Sequence, residues 1–284
     1  MPPFFNILKD EKSNTFLNKN GFIICDALTE SQLRKYRVKF NKWHNKSVGS
    51  FYKSYFSDQA NYKADIENEI IDDFNELVKK KFHNCQLFGG MYVVKPFGNE
   101  GHLPPHQDWS FVDEQKHWSL NMWCPLQDVN ATNGNMLVLP GSHSYMKTIR
   151  GSKTKDQYLD QKKLLDNYML DQPMKAGQAI FFFHGIIHGS KPNKTLNDRV
   201  SLGLSLIEQN APVYYHYYNE KINQTEVFKT DTKFYQNYVA DREKLPDNLV
   251  SLGLSDFEFD SINDNQLIEK INTALEEYQP PNKC

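Results

Sequence analysis

Apolar residues recur at two different spacings along this chain, a helical spacing in the N-terminal part and a strand-like spacing after it. Residues 63–83 carry apolar side chains three and four positions apart, as an amphipathic helix does. Thr29 is a suitable N-cap for another helix that runs towards Trp43. The short apolar run at residues 21–25 predicts a buried strand just before that helix.

The following part of the chain consists of short apolar stretches separated by Gly, Pro and Asn residues. These stretches are residues 86–94, 118–126, 135–140, 178–183 and 199–207. Residues 200–206 alternate with a period of two, as a half-buried strand does. Asn133-Gly134 lies between two of the stretches and predicts a hairpin. Many short strands at this spacing indicate an antiparallel sandwich or barrel, so the predicted fold class is mainly β with flanking helices.

We treat residues 1–284 as one domain with additions, because no repeat or low-complexity linker interrupts the chain. An N-terminal helical support covers about residues 1–84, and the strand-rich core covers about residues 85–210. A polar, partly helical insertion at about residues 144–172 interrupts the core, and a C-terminal extension covers about residues 211–284. The extension is predicted to end in an amphipathic helix. The apolar residues of this helix are Ile262, Leu267, Ile271 and Leu275.

Composition and charge argue against several classes of protein. The chain carries 33 Lys and Arg against 35 Asp and Glu, a net charge of −2, whereas nucleic-acid binding needs a clustered basic excess. No apolar run reaches the roughly 18 residues of a spanning helix, and the start of the chain lacks the features of a secretory signal. The cysteines are far apart in sequence, which is typical of reduced thiols in a cytoplasmic protein. They are Cys25, Cys85, Cys124 and Cys284. We therefore expect no nucleic-acid or membrane partner, and a monomer or a homodimer.

The residues that could carry out chemistry lie in two segments, one with His106 and Asp108 and the other with His188 and Arg199. On a strand, His106 and Asp108 point to the same side, about 7 Å apart at a rise of about 3.3 Å per residue. This pair alone is a weak signal, but a third ligand from a distant segment, such as His188, completes a two-His-one-carboxylate set. That set suits non-haem Fe(II) and leaves coordination positions open. The planar guanidinium of Arg199 suits one carboxylate of a dicarboxylate.

Simpler interpretations of these residues remain open from the sequence. Arg199 could form an ordinary salt bridge with Asp198 or another carboxylate, and Trp123 could be a buried strand residue without a functional role. His184 precedes His188 by four residues, which is about 13 Å along a strand and too far for a shared metal. We therefore predict a structural role for His184.

Three stretches carry longer motifs. Residues 21–37 begin with Gly-Phe-Ile-Ile-Cys-Asp, residues 106–143 run from His-Gln-Asp to Pro-Gly-Ser-His, and residues 188–199 run from His-Gly-Ser-Lys-Pro-Asn to Arg199. In combination they resemble the phytanoyl-CoA dioxygenase family of Fe(II)- and 2-oxoglutarate-dependent oxygenases. The resemblance implies a double-stranded β-helix (jelly roll), Fe(II) as cofactor, and 2-oxoglutarate and O2 as co-substrates.

The resemblance also assigns roles to residues. It makes His106, Asp108 and His188 the metal ligands and gives Arg199 the C5 carboxylate of 2-oxoglutarate. Because related halogenases replace the carboxylate ligand by a small residue, the presence of Asp108 argues against halogenation.

Other positions have less definite roles in the co-substrate pocket. Ser190 and Ser201 are alternative hydroxyl donors to the C5 carboxylate, and Trp123 is a candidate wall of the pocket. The group that meets the C1 carboxylate is left open. Its candidates are Tyr92, Lys95 and Asn121.

The substrate is expected to be a small molecule that meets loops at the mouth of the barrel. The candidate substrate residues are Trp109, Phe111, Tyr145 and Arg150. The expected reaction is hydroxylation of an unactivated C–H bond with release of succinate and CO2. The alternatives are a non-catalytic protein that binds metal or 2-oxoglutarate, and a metal-dependent isomerase or hydrolase on a cupin-like barrel.

Overall fold

A computed structural model describes most of the chain. The described residues are 4–44, 49–98, 101–154, 156–237, 245–257, 261–280 and 284. The helices are α1 (Glu11–Asn20), α2 (Glu30–Trp43), α3 (Ala60–Lys81), α4 (Ser142–Tyr145), α5 (Lys162–Tyr168), α6 (Thr232–Asn237) and α7 (Asp264–Glu276). The strands are β1 (Phe22–Asp26), β2 (Tyr52–Lys53), β3 (Cys85–Lys95), β4 (Leu103–His106), β5 (Ser119–Pro125), β6 (Met136–Val138), β7 (Leu170–Gln172), β8 (Gln178–Phe183), β9 (His188–Ser190), β10 (Arg199–Glu208), β11 (Val213–Asn219), β12 (Gln224–Thr230) and β13 (Val250–Leu254).

Two antiparallel sheets form the core. The major sheet has six strands in the order β1-β8-β5-β10-β3-β2, and the minor sheet has four in the order β4-β9-β6-β7. Apolar residues of both sheets meet between them, for example Phe22 and Ile180 from the major sheet and Val138 from the minor sheet. This arrangement is the expected jelly roll, mainly β with flanking helices. Strands β11, β12 and β13 form a separate three-stranded sheet in the C-terminal part.

The N-terminal helices begin where the sequence provides caps, and they cover the outer face of the major sheet. Thr29 and Gln32 form a capping box at the start of α2, which confirms the predicted N-cap. The predicted helix at 63–83 is α3, which begins slightly earlier. Helices α1, α2 and α3 contribute buried residues such as Leu17, Tyr36 and Ile70 to the largest apolar cluster of the protein.

The turn at Asn133-Gly134 does not form the expected hairpin. It joins β5 in the major sheet to β6 in the minor sheet, and β6 pairs with β7 and β9 instead of β5. Gly134 has a φ of +72°, which a side chain would strain, and an added Cβ would lie 2.5 Å from the carbonyl oxygen of Lys191. The local turn chemistry was correct, but sheet membership depends on contacts distant in sequence.

The C-terminal extension returns to the core. Leu267 and Ile271 of α7 are fully buried in a cluster with Leu165 from the insertion, so the predicted amphipathic helix is confirmed. After α7, Cys284 forms a disulfide with Cys25 of β1 across a sequence separation of 259 residues. The expectation that all four thiols are reduced is therefore wrong, because spacing in sequence says little about distance in the fold. Cys85 and Cys124 are free.

None of the helices in the described ranges has the length and apolar character that crossing a bilayer requires.

Candidate metal centre

Three predicted ligands converge between the two sheets. His106 ends β4 and His188 begins β9, and the two residues are paired across these antiparallel strands. Asp108 follows His106 after the strand has ended. One ligand atom from each of the three side chains lies within 4.8 Å of the other two. Within the described part of the chain, this is the group of His, Cys, Asp and Glu side chains that could hold a metal ion.

Backbone carbonyls orient both imidazoles. Nδ1 of His106 lies 2.9 Å from the carbonyl oxygen of Pro104, and Nδ1 of His188 lies 3.1 Å from that of Ile186. These contacts place the N–H of each ring at Nδ1 and leave Nε2 as the lone-pair donor. Nε2 of His188 lies 3.6 Å from Oδ2 of Asp108. The rings are thus fixed in the orientation that a metal needs.

Asp108 is held at its side chain and at its backbone. The amide of Asn121 donates to Oδ2 of Asp108 at 2.8 Å. The backbone N–H of Asp108 donates to the carbonyl of His184 at 2.9 Å, and Nε of Arg150 donates to the carbonyl of Asp108 at 2.7 Å. Asn121, a candidate for the C1 carboxylate of 2-oxoglutarate, therefore contacts the carboxylate ligand directly.

The electrostatics of the three side chains favour metal binding. Burial, together with the neighbouring His188, lowers the pKa of His106 to about 4. Burial also lowers the pKa of His188. Burial opposes ionisation of Asp108, but His188 and His106 outweigh it, and the pKa of this carboxyl is below its usual range. At neutral pH the site therefore offers two neutral imidazoles and one carboxylate, which are the protonation states that bind metal.

Arg199 is buried without an anionic partner among the described residues. Its guanidinium lies 4.9 Å above the ring of Trp123 and donates to the carbonyl of Gly134, whereas Nε has no partner. Burial lowers its pKa to about 9, so it remains charged at neutral pH. Asp198 accepts a hydrogen bond from the backbone of Phe97. The ordinary salt bridge with Asp198 is not formed in the structure.

The two candidate serines differ in their contacts. The hydroxyl of Ser201 donates to the carbonyl of Val93 at 2.8 Å. The hydroxyl of Ser190 is buried and has no hydrogen-bond partner among the described residues. Ser190 lies on β9, two residues after His188, so its unused hydroxyl is on the same side of the strand as the ligand. Ser190 is therefore the better candidate for a bound carboxylate.

Two of the candidates for the C1 carboxylate point elsewhere. The hydroxyl of Tyr92 donates to the carbonyl of Tyr36 in α2, on the helix-covered side of the sheet. The ammonium group of Lys95 donates to the carbonyl of Lys191 at 2.7 Å and to that of Gly101 at 2.5 Å.

Lys53 is a cation near the three ligands that the sequence did not identify. It lies on the two-residue strand β2, opposite Val93 of β3. Val93 is in turn opposite Ser201 of β10, so this row of the major sheet faces the barrel interior. The charge of Lys53 contributes to the lowered pKa of His106, Asp108 and His188. A two-residue strand has no periodicity to detect, so the sequence carried no signal for this residue.

The predicted substrate residues fall into two pairs: Trp109 and Phe111 pack against one apolar cluster, and Tyr145 and Arg150 line one cavity. Trp109 is half-buried against Tyr215, with ring centroids 6.1 Å apart. Phe111 packs on His184 at 4.9 Å. Tyr145 lies in the cluster that includes α7, and Arg150 pairs with an acidic side chain.

His184 lies outside the group of three. Its Nδ1 is 2.6 Å from the hydroxyl of Ser119. This contact agrees with the predicted structural role.

The fold and the site define a jelly roll with a two-His-one-carboxylate site. The sequence profile of the phytanoyl-CoA dioxygenase (PhyH) family matches residues 17–201. The chain belongs to this family.

Similar proteins include curated relatives and solved structures. A phytanoyl-CoA dioxygenase of Arabidopsis thaliana is 32% identical over 126 residues, which cover 43% of this chain and 44% of the relative. The phytanoyl-CoA dioxygenase domain-containing protein 1 of Danio rerio is 25% identical over 144 residues, covering 48% of this chain and 50% of the relative. The chain thus spans about half the length of the curated relatives it matches.

Two solved structures share the fold. The non-haem α-ketoglutarate-dependent carbocyclase SnoK from nogalamycin biosynthesis has a TM-score of 0.54 at 14% identity, covering 72% of this chain and 86% of that chain. HygX from Streptomyces hygroscopicus, with nickel, 2-oxoglutarate and hygromycin B bound, has a TM-score of 0.52 at 13% identity, covering 71% of this chain and 88% of that chain.

Proposed function

We propose that this protein is an Fe(II)- and 2-oxoglutarate-dependent oxygenase that uses O2 to hydroxylate a small molecule. The observation that carries the proposal is the buried charge of Arg199, which has no carboxylate partner among the described residues and lies in the barrel with the three ligands. An unpaired buried charge is costly, so the fold retains it for a ligand that supplies the opposite charge. A dicarboxylate that also chelates a metal meets this need.

The residues present fit both groups. His106, Asp108 and His188 are the nitrogen and oxygen donors that Fe(II) accepts, and such a set leaves positions open for a chelating co-substrate and for O2. The unused hydroxyl of Ser190 and the unused Nε of Arg199 are the donors that a carboxylate requires. HygX binds nickel and 2-oxoglutarate together, which supports the same pairing in this jelly roll.

The chain's own residues would bind and orient the co-substrate. Arg199 and Ser190 hold the C5 carboxylate, and the ring of Trp123 forms a wall beneath the guanidinium. Lys53 is our candidate for the carboxylate next to the metal, because its charge acts on all three ligands. Asn121 keeps Asp108 in position. When bound, Fe(II) and 2-oxoglutarate would supply the activation of O2 for C–H oxidation, with 2-oxoglutarate converted to succinate and CO2.

Hydroxylation is the reaction that we propose within this class. The fold alone does not select it, since a carbocyclase shares the fold. Two features support it: the curated relatives are named dioxygenases, and Asp108 supplies a carboxylate to the ligand group, which argues against halogenation. We also propose that residues 1–284 act as one oxygenase domain, supported by the packing of α7 on the insertion.

Other expectations remain predictions. A monomer or homodimer is still predicted, and so is a small-molecule substrate. Cytoplasmic location loses its argument from reduced thiols, because Cys25 is bonded to Cys284.

The test is anaerobic addition of Fe(II) and 2-oxoglutarate to the metal-free protein, followed by O2. We expect a weak visible charge-transfer band before O2 is admitted and succinate after it. His106→Ala should lose both signals, because one of three ligands is missing. Arg199→Ala should need a higher concentration of 2-oxoglutarate for the band.

The outcomes separate the three functions. A band without succinate identifies a non-catalytic binding protein. If Arg199→Ala behaves as the wild type does, the dicarboxylate assignment fails and a metal-dependent isomerase or hydrolase becomes the better interpretation. If no band forms and His106→Ala behaves like the wild type, the metal assignment is wrong.

A further inference from the structure

We propose that Arg150, from the insertion at residues 144–172, is a positioning residue that fixes the backbone of the metal ligand Asp108. This inference rests on the proposed metal site. It differs from the prediction that Arg150 meets substrate, because each of its three guanidinium nitrogens already has a partner within the protein.

The contacts of Arg150 place it between two parts of one loop. Its Nε donates to the carbonyl oxygen of Asp108 at 2.7 Å. Its two terminal nitrogens donate to the two carboxylate oxygens of Glu114, at 2.9 Å and 2.6 Å. One of them also donates to the carbonyl of Thr148 at 2.6 Å. The guanidinium thereby connects the ligand at the start of the loop to an acidic residue six positions later.

Additional hydrogen bonds join the same two segments on either side of Asp108. The backbone N–H of Ser110 donates to the carbonyl of Arg150 at 2.9 Å. On the other side, the amide of Gln107 donates to the carbonyl of Met146 at 2.7 Å, and the hydroxyl of Thr148 donates to Gln107 at 2.7 Å. The insertion therefore holds residues 107 and 110 in place, and Arg150 is the contact to the ligand itself.

The geometry requires an arginine. Only 10% of its side chain is exposed, so water does not replace these contacts easily. The planar fork pairs with the Glu114 carboxylate through two nitrogens and directs the third nitrogen to Asp108. A lysine would keep the charge but has one nitrogen, and it cannot maintain both contacts in this arrangement. The expected consequence of its loss is a carboxylate ligand that is less well oriented for the metal.

The test is titration of the metal-free protein with Co(II), without co-substrate, followed by visible absorption. Residues that orient metal ligands change metal affinity by roughly 10- to 100-fold when they are replaced. We expect Arg150→Lys and Arg150→Met to weaken Co(II) binding by at least about 10-fold and to change the intensity of the absorption band. Glu114→Gln weakens the pairing with the Arg150 guanidinium but leaves Arg150 present. It should reduce Co(II) affinity in the same direction by a smaller factor.

Lys175→Met provides the matched control. Lys175 forms an ion pair with Asp128 at 2.8 Å, both side chains are more than half exposed, and neither lines the cavity that His106 and Arg150 share. Its Co(II) affinity and spectrum should equal those of the wild type. If Arg150→Met fails to fold by circular dichroism, Arg150→Lys and Glu114→Gln decide the question.

Failure of this inference is distinguishable from failure of the proposed function. If the wild type and His106→Ala titrate alike, there is no metal site, and both proposals fall. If His106→Ala loses Co(II) binding but the folded Arg150 and Glu114 variants bind and absorb as the wild type does, only the positioning role is refuted.

Discussion

The two faces of strand β10 differ in chemistry although they share one backbone. The face under the helices carries Leu202, Leu204 and Leu206, all fully buried in the largest apolar cluster. The face towards the minor sheet carries Arg199 and Ser205, with a serine and a glycine between them, and these positions are buried as well. Burial is therefore equal on the two faces, whereas the demand for polar partners is not.

The outer face of β10 therefore stabilises the fold, whereas the inner face costs some of that stability. Apolar side chains on the outer face contribute about 1.5–3 kcal/mol each when fully buried. Arg199 and Ser190 on the inner side each keep a polar atom without a partner among the described residues, which costs free energy in the ligand-free protein. Buried polar groups that lack a hydrogen-bond partner therefore mark the sites where a ligand is expected to bind.

The largest expected difference between the two faces is in the free energy of unfolding. Leu204 is fully buried, so Leu204→Ala should lower the free energy of unfolding by about 2–5 kcal/mol through lost transfer energy and the cavity left behind. Ser205→Ala, the next residue on the opposite face, is the matched control and should cost at most about 1 kcal/mol. Urea unfolding followed by circular dichroism measures both. Equal losses would show that the two faces contribute alike.

An intermediate effect is expected at Arg199. Arg199→Met should weaken 2-oxoglutarate binding about 100-fold, or about 2.7 kcal/mol, because a buried charge pair with the ligand is lost. Its free energy of unfolding without ligand should stay within about 1 kcal/mol of the wild type or increase, since an unpaired buried charge is removed. Calorimetric titration and urea unfolding give the two values. A large loss of stability with unchanged binding would assign Arg199 to structure.

The smallest effect concerns a histidine beside the outer face. His143 is stacked on Phe183 at 4.6 Å, and burial lowers its pKa to about 4. In the unfolded chain its pKa is about 6.5, so between about pH 6.5 and pH 4 the unfolded state takes up a proton that the folded state does not. The contribution to stability is complete above about pH 6.5 and is lost as the pH falls, by about 3 kcal/mol for this group.

His143→Gln should therefore show a shallower loss of stability between about pH 6.5 and pH 4 than the wild type does. His102→Gln, at an exposed position, is the control. Unfolding free energies at several pH values measure the slopes, and identical slopes for the wild type and His143→Gln would refute the prediction.

The sequence by itself determined the elements and much of the site. Helical spacing identified α3 and α7, the cap residue Thr29 marked the start of α2, and the period of two identified strand β10, which is buried on both faces and not half-buried as expected. These features are local, because backbone hydrogen bonds and side-chain direction repeat over a few residues. The family resemblance then selected the jelly roll and named His106, Asp108 and His188, and the structure brings these three together.

Only the tertiary structure decided what depends on distant contacts. It placed Lys53 near the ligands, left Ser190 instead of Ser201 with an unused hydroxyl, and joined Cys25 to Cys284. It also moved Arg150 from the substrate candidates to a contact with Asp108. Each of these results depends on which side chains meet after chain segments far apart in sequence have packed. Residue spacing alone does not reveal these contacts. They depend on the order of the strands in each sheet and on which hydrogen-bond partner each buried polar group finds.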